Sequence, residues 1–532
     1  MRTDVLVVGG GLGGVAAAVA ALRAGRSVVL TEQYDWLGGQ LTSQAVPPDE
    51  HSWVEEFGVT ATYRTLRDRV RDYYRANFPL TDAARAQADL NPGAGYVSRL
   101  CHEPRVALAV IESMLAPARS AGRLTVLQPT RPVHADVDGD TVRAVTVRHE
   151  HDGATTTVEA AYVVDATETG ELLPLTGAEY VTGFESGADT GEPNAPDVAQ
   201  PLNMQAVSYC FAIDHVDGDH TIDRPASYDY WRAYQPPFWG DRLLSWTAPD
   251  PRTLETVRRA FTPNPDDDPQ SVLADQRINP GGDDLWTFRR IAARRNFAPG
   301  HHPSDITLVN WPMLDYLDGP VFDVPDAEAH LAGSRELAYS VLYWMQTEAP
   351  RADGGTGFPG LRLRGDVTGS TTGLAQAPYV RESRRIRAEY TVVEQDLSSA
   401  ARGDKGAVSY DDSVGVGMYR IDLHPSTGGD NYLDVPAEPF EIPLGALVPQ
   451  RMRNLLPASK NIGTTHITNG CYRVHPVEWN IGEVAGRLAA YCLEHRSTPS
   501  AVRNTPRALA DFRSALVAEG IELHWPDGVY GY

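Results

Sequence analysis

Five glycines lie within the segment 9–14, close to the start of the chain. Gly9, Gly11 and Gly14 have the spacing Gly-x-Gly-x-x-Gly. The first glycine permits a tight turn, the second lets the backbone approach a pyrophosphate, and the third lets a helix pack on a strand. Glu32 follows 18 residues after Gly14, where a carboxylate can accept hydrogen bonds from a ribose 2′-hydroxyl. The motif predicts a dinucleotide site.

A second match to this spacing, at residues 355–360, has a different context. It follows Pro350 and a polar stretch instead of a strand, and Pro359 stands where the helix would have to begin. The sequence therefore predicts one dinucleotide site and gives no indication of a second one for NAD(P)H.

The elements around the glycines must hold them against the ligand. Residues 4–8 and 27–30 are short apolar runs typical of buried parallel strands, and residues 15–24 predict an alanine-rich helix. These segments form a βαβ unit. Residues 5–22 could also be read as the apolar core of an export signal, but the glycines would break the short helix that such a signal needs. We therefore expect a cytoplasmic protein.

Weaker patterns cover the rest of the chain. Residues 124–164 alternate in polarity, with turn signals at Asp138-Gly139 and Asp152-Gly153, and predict an antiparallel meander. Residues 185–440, rich in Pro, Gly, Asp and aromatic residues, are typical of a separate inserted lobe. Further helices are predicted at residues 65–75, 104–116, 327–347, 480–495 and 506–519, and a strand at residues 455–458.

Composition excludes several classes of protein. The chain of 532 residues has a formal net charge of −23, so nucleic acid and anionic membranes are poor partners. Lys405 and Lys460 are its only lysines, a skew that suggests a GC-rich coding bias and, by association only, a secondary-metabolite pathway. The four cysteines are scattered, so no zinc site, metal site or disulfide scaffold is expected. No other apolar run has the length of a membrane helix.

The order of several sequence blocks indicates a family. A diglycine, Gly38-Gly39, follows Glu32, and at this offset it resembles the loop by which FAD enzymes lead the chain towards the isoalloxazine ring. The further blocks are Val163-Val164-Asp165-Ala166-Thr167-Glu168-Thr169-Gly170, Asn310-Trp311-Pro312 with Asp315-Tyr316, Arg381-Glu382-Ser383-Arg384-Arg385-Ile386, and Arg473 to Glu483. Over nearly its whole length, the chain resembles FAD-dependent oxidoreductases of the glutathione-reductase-like superfamily, in the branch with the Arg-Glu-Ser-Arg-Arg-Ile block.

This resemblance implies an α/β fold, in which a glutathione-reductase-like Rossmann domain with an antiparallel meander binds FAD and an inserted mixed α+β lobe binds the substrate. The FAD-binding domain would comprise residues 1–50, 96–184 and 441–532, and the substrate domain residues 51–95 and 185–440. The pyrophosphate would be held by glycine amides at a helix N-terminus, without any lysine.

The same resemblance implies which residues hold the cofactor. Val133 would contact adenine through its backbone, and Ala166 and Thr167 would lie near the pyrophosphate or ribose. Asn461 stands where many relatives have the acid that binds the ribityl chain. The residues of the first two strands and their loops are Gly9, Gly11, Gly14, Glu32, Gln33, Gly38, Gly39, Gln40, Thr42 and Ser43.

Chemistry beside the flavin needs two further features. A helix beginning near Asn480 would direct its N-terminus at the flavin pyrimidine, with Gly482 allowing close approach. A base must also take the heteroatom proton of the substrate, and His475, His424 and His466 titrate in the right range. Glu478 is a further candidate, as a base, as a residue that orients a histidine, or as a helix cap.

The substrate-binding residues are less clearly indicated. Trp311, Tyr316 and Arg381 are candidates, although the arginines of the block at 381–385 more often form ion pairs between domains. The aromatic residues between 228 and 246 would stack on a substrate or form a satellite core. Cys471 would be a covalent flavin link or, more commonly, a buried neutral thiol.

The predicted reaction is dehydrogenation of a small organic substrate (an alcohol, an amine or an activated C–H) by hydride transfer to flavin N5. Oxygen or an external acceptor would reoxidise the flavin. The alternatives are a flavin-dependent monooxygenase of a natural-product pathway and, in a different class, a non-catalytic carrier or chaperone with the same fold. The sequence indicates no oligomeric state.

Overall fold

The structure, a computed structural model, describes residues 1–265 and 284–531. It is mixed α/β. The strands in chain order are β1 (Arg2–Val8), β2 (Val28–Thr31), β3 (Leu124–Leu127), β4 (Thr130–Asp138), β5 (Thr141–His149), β6 (Thr155–Asp165), β7 (Tyr180–Val181), β8 (Phe211–His215), β9 (Thr247–Pro249), β10 (Thr256–Arg258), β11 (Arg290–Ala292), β12 (Ile306–Val309), β13 (Leu361–Leu363), β14 (Arg385–Ile386), β15 (Ser413–Gly417), β16 (Ile421–Leu423), β17 (Leu433–Val435), β18 (Phe440–Pro443) and β19 (Leu455–Pro457).

Helices connect and cover these strands. In chain order they are α1 (Leu12–Arg23), α2 (Ala61–Asn77), α3 (Asp82–Arg85), α4 (Pro104–Ser120), α5 (Leu172–Thr176), α6 (Gly187–Thr190), α7 (Tyr228–Ala233), α8 (Leu285–Phe288), α9 (Ala327–Thr347), α10 (Gly365–Thr368), α11 (Ser399–Arg402), α12 (His466–Tyr472), α13 (His475–His495), α14 (Pro499–Asn504) and α15 (Pro506–Ala518). Within the described ranges, no helix combines the length and the apolar character needed to cross a bilayer.

The largest sheet is part parallel and part antiparallel. Strands β3, β2, β1 and β6 are parallel neighbours in that order, and the last residues of β6 pair in parallel with β19. The first half of β6 pairs with β5 instead, and β5 with β4, all antiparallel. The long strand β6 therefore belongs to both parts of the sheet. The registers place Val8 beside Thr31 and beside Asp165, so the carboxyl ends of β1, β2 and β6 lie at one edge.

Helices α1 and α13 pack on each other more closely than ordinary side chains allow. A Cβ atom added to Gly482 would lie 2.0 Å from the carbonyl oxygen of Gly13, and one added to Gly486 would lie 2.1 Å from that of Ala17. Small residues on both helices therefore bring the two backbones into direct contact, and this contact holds α1 against α13.

A second, four-stranded antiparallel sheet has the order β11-β12-β8-β13. It shares a hydrophobic cluster with α9, to which Phe211, Ile213, Val309, Leu337 and Val341 contribute. This cluster consists of residues between 204 and 432, and it is rich in aromatic side chains.

The predicted elements agree with the structure except at two places. The βαβ unit, the turns at Gly139 and Gly153, and helix α9 at 327–347 are confirmed. Residues 124–127 were assigned to the meander, but β3 joins the parallel strands beside β2. The late helix was expected to begin at 480, yet α13 begins at His475, because Pro476 is well tolerated in a first helical turn.

Candidate functional site

The edge formed by the carboxyl ends of the parallel strands carries the predicted dinucleotide site. Gly9 follows β1, Glu32 follows β2 and Ala166 follows β6, so three segments that are distant in sequence meet there. Ligands of open α/β sheets bind at this kind of edge. A cavity of about 200 Å³ opens here, lined by these residues together with Thr167 and Arg384.

The glycine turn needs glycine for steric reasons. Gly9 has a φ of +97°, and a Cβ there would lie 2.3 Å from the carbonyl oxygen of Ala166. A Cβ on Gly14 would lie 1.9 Å from the carbonyl oxygen of Gly9. The turn is thus pressed between β6 and its own helix, as the predicted roles of the first and third glycines require.

Glu32 is hydrogen-bonded to the glycine turn and to its own loop. Its carboxylate accepts a hydrogen bond from the Gly10 N–H at 2.8 Å and another from the Tyr34 N–H at 2.9 Å. Burial raises the pKa of Glu32 to about 8, because water no longer stabilises its charged form. Gln33 lies beside it in the lining of the same cavity.

A lysine and a second carboxylate, which the sequence interpretation missed, lie at the glycine turn. Lys460 is 1% exposed and forms an ion pair with Glu168. The other oxygen of Glu168 has no hydrogen-bond partner and points between Gly11 and Gly39, lying 2.8 Å and 3.0 Å from the positions of Cβ atoms added there. Lys460 therefore lies near the predicted pyrophosphate site, where the sequence predicted glycine amides without any lysine. The rarity of lysine in this chain is the sequence feature that could have drawn attention to Lys460.

The loop after β2 continues along the predicted path of the cofactor. Gly38 and Gly39 both have positive φ values, +109° and +50°. Thr42 donates to the Leu37 carbonyl at 2.6 Å, which closes the turn, and Ser43 is buried beside it. Beyond the diglycine, buried polar atoms lack hydrogen-bond partners; they are Gln40 Oε1, Gln44 Oε1 and Nε2, Arg473 Nε and His475 Nε2.

These features fit FAD. The glycine turn and Glu32 offer backbone and carboxylate partners for the adenosine half, and the unpaired atoms from Gln40 to His475 offer partners for a polar ring edge. Val133 is half-buried on β4, next to Pro132, which lines the cavity at the sheet edge. Asn461 is already engaged within the protein, because it donates to the Asp165 carbonyl and accepts from the Ser459 N–H.

Asn480 and Gly482 do not lie at a helix N-terminus. Asn480 is in the second turn of α13 and donates to the Val414 carbonyl at 3.3 Å. Gly482 faces the backbone of Gly13, so its small size serves the contact between α13 and α1. The predicted positions of both residues are wrong, and His475 holds the first helical position instead.

A second cavity, of about 370 Å³, lies next to the unpaired polar atoms. Asp49 lines it and donates its backbone N–H to His475 Nδ1 at 3.0 Å. Asp422 also lines it and lies 3.5 Å from Arg473, whose carbonyl accepts from the Gln40 side chain. We call this cavity the substrate cavity; its lining includes Trp311, one of the predicted substrate residues.

His424 lines the substrate cavity and is held by a buried acid. Its Nδ1 lies 2.7 Å from Asp315 Oδ2, and its side chain is 20% exposed. The other oxygen of Asp315 lies 3.1 Å from Arg381 Nη2. Burial alone would raise the pKa of Asp315, but His424 and Arg381 outweigh it and hold that pKa below its ordinary range. The anionic Asp315 therefore orients His424.

His475 is not placed to act as a base. Its Nδ1 accepts the Asp49 N–H, so the ring proton lies on Nε2, which has no partner. Burial, with the nearby Arg289 and His102, lowers the pKa of His475 to about 3. With Nδ1 occupied by the Asp49 N–H, the ring is a neutral donor through Nε2, an arrangement that does not support the predicted basic role.

His466 and Glu478 also have local partners away from the substrate cavity. His466 lies 2.8 Å from Glu382 and packs on Phe184, and it is 1% exposed. Glu478 accepts from Gly13 N–H and from the Gln40 side chain, and burial raises its pKa. Of the alternatives for Glu478, the structure favours a cap, although the helix that it caps is α1.

Arg381 and Tyr316 lie behind the substrate cavity and do not line it. Arg381 donates to the Ala206 carbonyl at 2.7 Å and pairs with Asp315, and the Tyr316 hydroxyl lies 3.0 Å from His330 Nδ1. The neighbouring arginines form ion pairs as well. These are Arg384 with Asp323, and Arg385 with Glu185 and Glu382. The arginines of this block therefore hold neighbouring segments in place through ion pairs.

Burial distinguishes between the alternatives for the aromatic residues at 228–246 and for Cys471. Tyr228, Trp231, Trp239 and Trp246 belong to the aromatic hydrophobic cluster and line neither described cavity, so the satellite core is the better interpretation. Cys471 is buried and donates to the Thr468 carbonyl, and burial raises the pKa of its thiol. A buried neutral thiol is the arrangement observed.

The chain belongs to the family of FAD dependent oxidoreductases, whose family model matches residues 4–516. It is therefore an FAD-dependent oxidoreductase, and FAD is its cofactor. No curated protein matches it at a significant level.

Similar solved structures include the flavin-dependent brominase Bmp2, the myxobacterial chondrochloren halogenase CndH, and AlpK. They share 15%, 14% and 18% sequence identity with this chain, with TM-scores of 0.25, 0.22 and 0.23. The matches cover 41%, 42% and 42% of this chain and 47%, 45% and 40% of theirs. The chain thus matches less than half the length of each of these structures.

Proposed function

We propose that this enzyme dehydrogenates a small organic substrate, with an alcohol, an amine or an activated C–H as the oxidised group, bound in the substrate cavity. The observation that carries the proposal is the pair formed by His424 and Asp315 at the wall of that cavity. When bound, FAD would supply the hydride acceptor, and oxygen or another external acceptor would take up the electrons.

The protein contributes a base to this reaction. Removal of a hydride from carbon requires loss of the proton on the adjacent heteroatom, and a positioned imidazole accelerates such a transfer by about 10²–10⁴-fold. Asp315, anionic and fully buried, accepts the Nδ1 proton of His424 at 2.7 Å. The lone pair of His424 is thereby placed on Nε2, and the imidazolium formed by proton uptake is stabilised by the same carboxylate.

The rest of the cavity supports binding of a small molecule. Trp311 and Phe288 give it apolar walls, and its volume of about 370 Å³ lies at the lower end of the range of small-molecule sites. Two contact chains, through Asp49 to His475 and through Asp422 to Arg473, join it to the residues expected at the flavin ring.

We also propose the domain division expected from the sequence. Residues 1–50, 96–184 and 441–532 would form a glutathione-reductase-like FAD-binding domain, and residues 51–95 and 185–440 the substrate domain. The composition of the aromatic hydrophobic cluster, drawn from residues 204–432, supports this division. Residues 266–283 of the second domain, and Tyr532 of the first, lie outside the described part of the chain.

The test is anaerobic mixing of the FAD-loaded protein with alcohols, amines, sugars and aromatic natural-product precursors, followed at 450 nm. We expect bleaching by one of these classes, and a rate about 10²–10⁴-fold lower for His424→Gln and Asp315→Asn. Tyr432→Phe is the matched control, because Tyr432 lines the same cavity and its hydroxyl lies 3.5 Å from the same carboxylate, but it is not a base in the proposal.

Two results would refute the proposal. Fast bleaching by NADPH in the absence of an organic reductant would favour a monooxygenase. Unchanged rates in both His424→Gln and Asp315→Asn, in proteins with full FAD content, would show that the base lies elsewhere.

A further inference from the structure

We infer that the substrate is an organic anion whose carboxylate binds the guanidinium of Arg289 while its oxidised carbon lies towards His424. The inference rests on the proposed function, because it names the class of substrate for the same cavity. The observation behind it is that Arg289, one of the charged residues that line the cavity, has buried N–H groups without hydrogen-bond partners.

Arg289 lines the substrate cavity, and its side chain is 12% exposed. Its Nε and Nη1 are buried and have no hydrogen-bond partner. Its Nη1 lies 3.6 Å from Asp49 Oδ1, which is an ion pair without a hydrogen bond. A buried donor left without a partner costs about 1–3 kcal/mol, so this guanidinium is arranged for a ligand.

The other arginines of the lining do not carry buried N–H groups without hydrogen-bond partners. Arg420 donates a hydrogen bond to Asp434, and Arg252, 3.8 Å from Asp434, is 53% exposed, so water reaches it. Arg259 lies 4.0 Å from Asp250. Among the described arginines of the lining, Arg289 is therefore the one whose buried N–H groups lack a hydrogen-bond partner.

Two carboxylates of the lining lie beside arginines that do not line the cavity. Asp422 lies 3.5 Å from Arg473, and Glu50 lies 2.8 Å from Arg67. Asp49 remains, and it faces Arg289. A ligand carboxylate would therefore meet a site whose other negative charges are already compensated.

The shape of the guanidinium favours a carboxylate. Arg presents a planar fork that accepts two oxygens side by side, and the carbon of this guanidinium lies 5.2 Å from the centre of the Phe288 ring. The ring covers one face, which leaves the N–H edge for a ligand. Arg289 and His424 line one cavity of about 370 Å³, so we place both ends of a single small acid in that cavity.

The experiment uses the FAD-loaded enzyme and two isosteric probes, benzoate and benzamide. Each is titrated while the flavin absorbance spectrum and tryptophan fluorescence are recorded, because Trp311 lines the cavity. We expect benzoate to bind at least tenfold more tightly than benzamide. Arg289→Gln should weaken benzoate binding at least tenfold, with partial retention in Arg289→Lys.

Arg232→Gln is the matched control, because this arginine is 50% exposed, pairs with Glu348 and lines neither described cavity. It should leave benzoate binding within about twofold. The comparison of benzoate with benzamide on the wild-type enzyme needs no variant, so it tests the inference even if Arg289→Gln does not fold.

Equal binding of the two probes, or benzoate binding that is unchanged in Arg289→Gln, would overturn the inference. Turnover separates it from the proposed function. Rapid oxidation of neutral substrates without preference for anions would overturn only the inference, whereas benzoate binding to an enzyme that oxidises no class of substrate would count against only the proposed function.

Discussion

Replacement of Gly482 by alanine tests the contact between α1 and α13 and its effect on the cofactor site. The added Cβ would lie 2.0 Å from the carbonyl oxygen of Gly13. Ordinary contact requires roughly 3.5 Å, so the two backbones must separate locally by about 1.5 Å. Gly13 cannot retreat easily, because a Cβ on its other side would lie 1.7 Å from the Ala458 carbonyl oxygen.

The expected cost follows from this geometry. Overpacking of a filled core costs about 1–3 kcal/mol, and the constraint on Gly13 places Gly482→Ala in the upper half of that range. Because Gly13 belongs to the glycine turn, the displacement also moves the amides that face the cofactor. We expect FAD to bind about tenfold more weakly, which corresponds to about 1.4 kcal/mol.

Urea unfolding of the apoprotein measures the first effect, and quenching of FAD fluorescence measures the second. Gly486→Ala is the matched control, since its Cβ would lie 2.1 Å from the Ala17 carbonyl oxygen, one turn further from the glycine motif. It should lose similar stability and less FAD affinity. Gly187→Ala, whose nearest atom would be at 3.6 Å, should be neutral. A Gly482→Ala protein within about 0.5 kcal/mol of wild type would refute the close contact.

Three further predictions concern the FAD site. Burial raises the pKa of Glu32 from 4.5 to about 8, so the folded apoprotein keeps a proton that the unfolded chain releases, and its free energy of unfolding should fall as pH rises between these values. Urea titrations should show a flatter profile for Glu32→Gln, and an equal slope would contradict this origin. Glu168→Gln removes a negative charge beside Gly11 and should tighten FAD binding about tenfold by fluorescence quenching; Glu171→Gln, in the same cavity, is the control, and unchanged affinity of Glu168→Gln would contradict the reasoning. Acid precipitation should release all FAD from wild type and from Cys471→Ala alike, and flavin retained only by wild type would show a covalent link.

The local part of the fold was predictable from the sequence because it depends on short-range patterns. The apolar run of β1, the glycine turn and α1 follow one another directly, and α9 is a long stretch with helical periodicity. Strand β3 was misassigned because its four residues do not indicate their neighbour. Its pairing with β2 is a long-range contact across more than ninety intervening residues.

The candidate site, like the fold, has one part that short-range patterns predict and another that depends on long-range contacts. The positions of Gly9 and Glu32 follow from a motif with fixed spacing, and the structure brings them together. The choice among the histidines could not be made from sequence, because it depends on Asp315 lying beside His424, 109 residues away. Arg289 was not distinguished at all, since an arginine becomes noteworthy only when its missing hydrogen bonds can be seen.

The double membership of β6 has a consequence for how the protein is made. Its last residues need β19 as a neighbour, and α1 needs the glycines of α13, so the nucleotide edge is incomplete until about residue 495 has been synthesised. Until then the nascent chain carries an open strand edge and an apolar helix face, both of which favour aggregation. FAD capture must therefore follow synthesis of α13, and expression yield should depend on the protection that chaperones give to the chain until that helix is made.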